Sequence, residues 1–151
     1  MAPDKPKRGK TLSSIRTLIV EDNTLFRQTL REILSNQFPV LEIAEAGSGK
    51  EAWQKMAERQ PDLVFMDIKL PDENGLLLTR KIKAQNPKAI VIILTSYDFP
   101  EYREAAFQYG TNHFIVKGSS SNREILDLVG SIIQGLRNGV QKEGKSSLET
   151  L

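Results

Sequence analysis

Acidic, hydroxyl and amino side chains stand where four short apolar runs of the sequence end. Glu21 and Asp22 end the run TLIVED, Asp67 ends LVFMD, Thr95 ends AIVIILT and Lys117 ends HFIVK. Three crowded carboxylates suit a hard divalent ion such as Mg²⁺, which takes oxygen ligands and usually shares its site with a phosphate. With a hydroxyl and an ammonium to bind phosphate oxygens, the set predicts phosphoryl transfer, in which a carboxylate can itself be the nucleophile.

These side chains converge only if the strands that carry them are neighbours in one sheet. Five β-rich runs alternate with helical patterns, which implies a parallel sheet with helices on both faces. At 151 residues, an open, doubly wound α/β sheet of five strands fits, whereas a closed eight-fold barrel is too large. Such sheets bind ligands beyond the carboxyl ends of their strands. The strands are predicted at 17–22, 40–46, 63–67, 89–95 and 113–117.

Local signals predict the helices between these strands. Ser48, followed three residues later by Glu51, has the spacing of a capping box. Asp72 and Glu73 are expected to be the leading acids of a helix at about 74–84. The last helix has an apolar face made of Ile125, Leu128, Val129, Ile132, Ile133 and Leu136.

The composition is that of an ordinary globular domain, with 39% hydrophobic and 26% charged residues. The chain has no cysteine, which excludes disulfides and thiolate metal sites and fits a reducing cytosol. No apolar run approaches the roughly 20 residues of a membrane span, and the N-terminus lacks the apolar core of a signal peptide. We therefore expect no membrane association.

Charge and periodicity divide the chain into three parts. Residues 1–15 form a basic tail that we expect to be flexible, since the net charge of +2 owes its sign to the N-terminal end. Residues 16–139 contain all the alternating elements and form one domain. The helical pattern stops after Gly139, so 140–151 is a linker or tail. The basic tail could touch nucleic acid, but a solvated lead-in is the favoured interpretation.

Four segments resemble the receiver domain of two-component response regulators. They are VED (20–22), FMDIKLPDENG (65–75), ILTS (93–96) and GTNHFIVK (110–117). The resemblance spans nearly the whole domain and is greatest to the receivers of regulators that carry a C-terminal helix-turn-helix. It implies a flavodoxin-like strand order of 2-1-3-4-5. In that order the first and third strands are neighbours, so the acids would meet.

The resemblance implies that Asp67 accepts a phosphoryl group from a histidine kinase or a phosphotransfer protein. Asp22 and Asp67 would bind Mg²⁺ directly, the Lys69 backbone carbonyl would be a third protein ligand, and Glu21 would act largely through metal-bound water. Such a domain is no enzyme beyond assisting its own phosphorylation and dephosphorylation. It is expected in the cytoplasm and would control transcription, reaching DNA only through an output domain outside these 151 residues. A stand-alone receiver and a fragment both fit the sequence.

The resemblance also assigns roles around the phosphoacceptor. Thr95 and Lys117 would bind the phosphoryl oxygens. Thr95 and Phe114 would form the switch, with the ring turning inward as the threonine moves. This would change the face made by the fourth helix, the fifth strand and the fifth helix. Lys69 and Tyr97, each two residues beyond a site residue, would overhang the phosphoryl group, screen it from water and so tune its lifetime.

Two features depart from or extend the family pattern. Gly118 follows Lys117 where many members have proline, so whether the bond between these two residues is cis is left open. Aromatic residues are concentrated in one region, which we expect to be a partner or homodimer surface on the face just described. Ordinary packing with one exposed ring is the alternative. The six residues are Tyr97, Phe99, Tyr102, Phe107, Tyr109 and Phe114.

Two other functions fit the fold. An interaction module that works without phosphorylation is disfavoured by the intact set of acids, hydroxyl and amine. A Mg²⁺-dependent phosphatase would need a general acid beside Asp67, and Ile68 and Lys69 offer none. Two further motifs fail on spacing: GSGKE (47–51) lacks the first glycine and the Ser/Thr of a P-loop, and His113 has no second ligand for zinc.

Overall fold

The computed structural model describes residues 14–141. Five strands alternate with five helices in this part of the chain, as the sequence predicts. The predicted tails lie almost wholly outside the described residues. The elements are β1 (Ile15–Val20), α1 (Thr24–Gln37), β2 (Leu41–Ala46), α2 (Gly49–Glu58), β3 (Leu63–Met66), α3 (Gly75–Gln85), β4 (Ile90–Thr95), α4 (Pro100–Gln108), β5 (His113–Val116) and α5 (Asn122–Gln141).

The strands form one parallel sheet in the order β2-β1-β3-β4-β5. The doubly wound sheet and its strand order are therefore confirmed. The order reverses between β1 and β3, so their carboxyl ends form the crevice in which such sheets bind ligands. Val20 is in register with Met66, and Thr95 with Val116. The residues that follow these four positions consequently share one edge of the sheet.

Apolar side chains pack on both faces of the sheet and form two core clusters. β3 contributes to both, because successive side chains of a strand point to opposite faces. Val64 and Met66 join the cluster under α2, α3 and α4, whereas Leu63 and Phe65 join the cluster under α1 and α5. All four side chains are buried. This explains why the strand is continuously apolar instead of alternating.

Short polar side chains begin the three helices that follow β1, β2 and β3. The Ser48 hydroxyl accepts a hydrogen bond from the Glu51 N–H at 3.1 Å, so the predicted cap of α2 is confirmed. The Glu51 carboxylate accepts from the Gly47 N–H at 2.7 Å, one residue before the usual capping-box donor. Asn23 caps α1 in the same way as Ser48, and the Asn74 side chain caps α3 by accepting the Leu76 N–H, two residues on. Each cap therefore satisfies one N–H group at the start of its helix.

Asp72 has a different role from the one predicted. It does not lead α3: its two carboxylate oxygens accept the N–H groups of Gly49 and Lys50, at 2.8 and 2.9 Å, at the start of α2. These hydrogen bonds hold the pKa of Asp72 below its usual range. Glu73 turns towards Lys81 on α3, with 3.7 Å between charged atoms. The loop after β3 is thus tied to a neighbouring helix that sequence spacing does not reveal.

Two element boundaries also differ from the predicted ones. β1 begins at Ile15, which is fully buried and pairs with Leu41 on β2. α5 continues past Gly139 to Gln141. A single glycine weakens a helix without necessarily ending it, so the loss of apolar periodicity is a poor marker for this end. Within residues 14–141, no helix is long and apolar enough to cross a membrane.

Candidate functional site

Three acidic side chains meet at the carboxyl ends of β1 and β3. One carboxylate oxygen from each of Glu21, Asp22 and Asp67 lies within 4.8 Å of the others. The Asp67 N–H donates to the Val20 carbonyl at 3.1 Å, which holds the two strand ends side by side. Glu21 and Asp67 are buried, whereas Asp22 is exposed. The cluster is therefore accessible to solvent from the Asp22 side.

Lys117 brings a positive charge into this cluster. Its Nζ donates to Glu21 Oε1 at 2.5 Å and to Asp67 Oδ2 at 3.1 Å. The backbone N–H of Lys117 donates to the Thr95 carbonyl at 2.8 Å, which anchors the residue at the end of β4. Only 16% of the lysine side chain is exposed. One ammonium group thus contacts two buried carboxylates from different strands.

Burial and pairing act in opposite directions on the charges of this site. Burial raises the pKa of Glu21, and its hydrogen bond with Lys117 only partly offsets that rise. Burial lowers the pKa of Lys117, but the hydrogen bond to Glu21 and the negative charge of Asp67 outweigh it, so that this pKa is raised. The ammonium is therefore kept charged by its carboxylate partners.

Thr95 and Phe114 flank the site on β4 and β5. Thr95 is fully buried, and its hydroxyl oxygen accepts the Tyr97 N–H at 3.3 Å. Phe114 is half-buried and packs against the core cluster under α2, α3 and α4. The guanidinium of Arg103, on α4, lies 4.5 Å from the centre of its ring. The two predicted switch residues therefore contact, respectively, the loop before α4 and α4 itself.

The loop after Asp67 makes close contact with the start of α3. The Gly75 N–H donates to the Ile68 carbonyl at 2.7 Å. A Cβ at Gly75 would lie 1.9 Å from the Asp67 carbonyl oxygen, so only glycine allows this approach. Lys69 is exposed, and its Nζ lies 5.1 Å from the centre of the Tyr97 ring. The two predicted tuning residues thus contact each other beside the acidic cluster.

Comparison with known families identifies the chain. The family model described as the response regulator receiver domain matches residues 17–129. The chain is a response-regulator receiver. The resemblance noted in the sequence is therefore confirmed.

Curated relatives and solved structures agree with this family. The receiver is 35% identical over 124 residues to the response regulator protein VraR of Staphylococcus aureus, covering 81% of this chain and 58% of that protein. It is 33% identical over 122 residues to the oxygen regulatory protein NreC of Staphylococcus epidermidis, covering 80% of this chain and 56% of that protein. The receiver spans about half the length of the curated relatives that it matches.

The fold also matches solved receivers along their whole length. A CheY-like receiver domain protein from Methanospirillum hungatei superposes with a TM-score of 0.75 at 28% identity, covering 87% of this chain and all of that chain. A DNA-binding response regulator of the LuxR family from Staphylococcus aureus gives a TM-score of 0.72 at 25% identity, covering 78% and 98%.

The receiver contains site contacts that sequence reasoning missed. The Phe26 ring lies 4.4 Å from Lys117 Nζ. Arg27 donates to the Glu21 carbonyl at 2.6 Å and pairs with Glu45 of β2 at 2.8 Å. Both residues lie in the first turn of α1, only a few residues after the acid pair. The cap spacing from Asn23 could have indicated the start of this helix, but not the direction of its side chains.

The departures from the family pattern have structural explanations. The bond between Lys117 and Gly118 is trans. Gly118 has a φ of +84°, a conformation that proline, with φ near −65°, cannot adopt.

Of the six clustered aromatic residues, Tyr97, Phe99 and Phe107 are exposed. Packing with a single exposed ring is therefore excluded for this region, although exposure by itself does not identify a partner.

Proposed function

We propose that this receiver accepts a phosphoryl group on Asp67 and relays the signal through the face made by α4, β5 and α5. The observation that carries the proposal is the position of the Lys117 ammonium, 3.1 Å from the Asp67 carboxylate and 2.5 Å from Glu21. A cation held against the nucleophile can stabilise charge on the equatorial oxygens of a transferring phosphoryl group. The low exposure of the Lys117 side chain strengthens this electrostatic interaction.

The donor in this proposal is a phosphohistidine of a kinase or of a phosphotransfer protein. A carboxylate oxygen of Asp67 attacks phosphorus, the new O–P bond forms as the N–P bond breaks, and the imidazole leaves with the electron pair. Water later cleaves the acyl phosphate and regenerates the carboxylate and inorganic phosphate. The receiver would thus assist only its own phosphorylation and dephosphorylation.

The donor set fits Mg²⁺. Glu21, Asp22 and Asp67 offer only hard oxygen ligands, and their oxygens lie close enough together to surround one ion. Asp22 and Asp67 would hold it directly with the Lys69 carbonyl, and Glu21 largely through water. When bound, the ion would supply positive charge to the phosphoryl oxygens. Lys117 would supply the second positive charge from the side of β5.

Thr95 and Phe114 would convert phosphorylation into a conformational change. The Thr95 hydroxyl, which accepts the Tyr97 N–H at 3.3 Å, would donate to a phosphoryl oxygen once Asp67 is modified. To make that hydrogen bond, Thr95 would move towards Asp67. The movement would shift the loop before α4 and allow the Phe114 ring to turn inward. A ligand shifts such an equilibrium only by its differential affinity for the two states. The phosphoryl group supplies that difference through Thr95 and Lys117.

The partners follow from this mechanism and from the exposed aromatic residues. Tyr97, Phe99 and Phe107 lie in or next to α4, so this region would bind a second receiver or an output domain after phosphorylation. Control of transcription would then run through a DNA-binding output domain. Size measurement in solution, with and without beryllofluoride as a phosphoryl mimic, tests the homodimer. An unchanged monomer with no partner bound through this face would refute it.

Intact mass spectrometry tests the phosphoacceptor directly. The receiver is incubated with acetyl phosphate and Mg²⁺, and wild type is compared with Asp67→Asn. Wild type should gain the mass of one phosphoryl group, about 80 Da, and Asp67→Asn should gain none. Wild type without an adduct would refute the proposal and favour the interaction module that needs no phosphate. Repeated release of phosphate from small phosphoesters would favour the phosphatase.

A further inference from the structure

The Phe26 ring is the third neighbour of the Lys117 ammonium. Its centre lies 4.4 Å from Nζ, well within the roughly 6 Å over which an aromatic face attracts a cation. The other two neighbours are the carboxylates of Glu21 and Asp67. Phe26 is half-buried and packs against the core cluster under α1 and α5. Core packing therefore holds the ring in place while it contacts the lysine.

A closed cycle of contacts fixes this ring relative to the acids. The Asn23 N–H donates to Glu21 Oε2 at 2.9 Å, and the Asn23 side chain accepts the Phe26 N–H at 2.9 Å. The ring of Phe26 then contacts Lys117, which donates back to Glu21 Oε1 at 2.5 Å. The start of α1 and the end of β5 are joined through the same carboxylate. The cycle ties the position of the ring to the position of the ammonium.

We propose that Phe26 is a positioning residue that holds the Lys117 ammonium beside the phosphoacceptor, an inference that rests on the proposed function. Asp67 modified by a phosphoryl group presents new oxygens, and Lys117 must turn towards them from Glu21. A carboxylate partner competes with those oxygens for the same N–H groups. An aromatic face does not compete for these N–H groups, because its attraction to a cation does not depend on one donor direction.

The burial of Lys117 makes such a partner useful. With 16% of its side chain exposed, the ammonium has little water to replace the Glu21 contact while it changes partners. A buried charged group is costly unless neighbouring groups replace the water around it. The Phe26 ring would keep part of the stabilisation through the change. Lys117 would then stay near the phosphoryl oxygens.

A series of ring-fluorinated phenylalanines at position 26 tests the inference. One, two and three fluorine atoms progressively weaken the negative ring face and hardly change its size, so the fold is preserved. The second-order rate of phosphorylation by acetyl phosphate is measured by intact mass, and the affinity for beryllofluoride by calorimetry. Both should fall in graded steps, by about three- to tenfold across the series. Equal values across the series would overturn the proposal.

Two further variants separate positioning from packing and from the proposed function. In a Lys117→Ala background, fluorination should leave the residual rate unchanged, and a persisting graded loss would show that the ring acts without the lysine. Leu25→Ala, at the adjacent and 74% exposed position of α1, should keep the wild-type rate; an equal loss there would overturn a specific role for Phe26. Wild type without any adduct would contradict the proposed function itself, whereas a flat series on a phosphorylated receiver contradicts only this inference.

Discussion

The guanidinium of Arg103 lies 4.5 Å from the centre of the Phe114 ring and so joins α4 to β5. The same guanidinium pairs with Asp98, in the loop before α4, at 2.9 Å. Because Arg103 and Asp98 are exposed, their ion pair stabilises the structure little. The contact with the ring is worth on the order of 0.5–1 kcal/mol at such a site. It is made in the position that Phe114 has here, and the inward turn of the ring in the proposed switch would break it.

Arg103→Ala should therefore favour the inward state of Phe114. Loss of a contact made in only one state shifts the equilibrium towards the other by the same free energy. We expect the affinity for beryllofluoride, measured by calorimetry, to rise about two- to fivefold. Glu104→Ala, the next and likewise exposed residue of α4, is the matched control and should leave the affinity unchanged. A weaker affinity in Arg103→Ala would show that the arginine supports the active state instead.

Tyr97→Ala should shorten the lifetime of the phosphorylated receiver. Lys69 Nζ lies 5.1 Å from the centre of the Tyr97 ring, and the pair would cover the phosphoryl group against attacking water. Loss of the ring would also release the lysine, so hydrolysis should be about two- to tenfold faster. The decay of the phosphoryl adduct is followed by intact mass. Phe99→Ala, an exposed aromatic residue nearby that contacts Tyr102, is the control; equal decay in both variants would exclude a specific shield.

The convergence of the strand-end side chains could be predicted because it depends on backbone topology. Once β1 and β3 are neighbours, Glu21 and Asp67 must meet at one edge, whatever their rotamers. Side-chain contacts across helices could not be predicted in this way. Phe26 looks like any core residue of α1, and only its distance to Lys117 shows the contact. The sequence places such residues on a face but does not specify which neighbour they meet.

The loop after β3 illustrates the same limit. Two acids before a helix usually favour its N-terminus, and this rule predicts that Asp72 leads α3. The carboxylate instead accepts N–H groups of Gly49 and Lys50 at the start of α2. The rule correctly predicts that the acid interacts with a helix N-terminus. It predicts the wrong helix, because it considers only neighbours in sequence. Long-range capping depends on how β3 and α2 lie in space, which one sequence does not give.

Gly75→Ala should disrupt the site because the new Cβ meets backbone that cannot move aside. It would lie 1.9 Å from the Asp67 carbonyl oxygen and 2.9 Å from the carbonyl carbon. We expect a loss of about 3 kcal/mol or more in the free energy of unfolding, measured in urea, together with slower phosphorylation by acetyl phosphate.

Gly135→Ala is the matched control for that substitution. It lies inside α5, and a Cβ there meets nothing within 4 Å. Alanine should stabilise the helix by about 0.5–1 kcal/mol and leave phosphorylation unchanged. Equal stability of wild type and Gly75→Ala would show that the loop can shift without cost.

Stability should fall on mild acidification because of His113. This residue begins β5, is half-buried, and its burial lowers its pKa below the ordinary value of 6.5. As the pH falls through 6.5, the unfolded chain binds a proton before the folded chain does, so the unfolded state is favoured. The loss should begin just above pH 6.5, continue until the folded pKa is passed, and then stop. One proton limits the slope to about 1.4 kcal/mol per pH unit. The free energy of unfolding of wild type and His113→Gln is measured in urea between pH 8 and 5. The variant should lack the loss of stability that His113 causes. Parallel curves for the two proteins would assign the pH dependence to other groups.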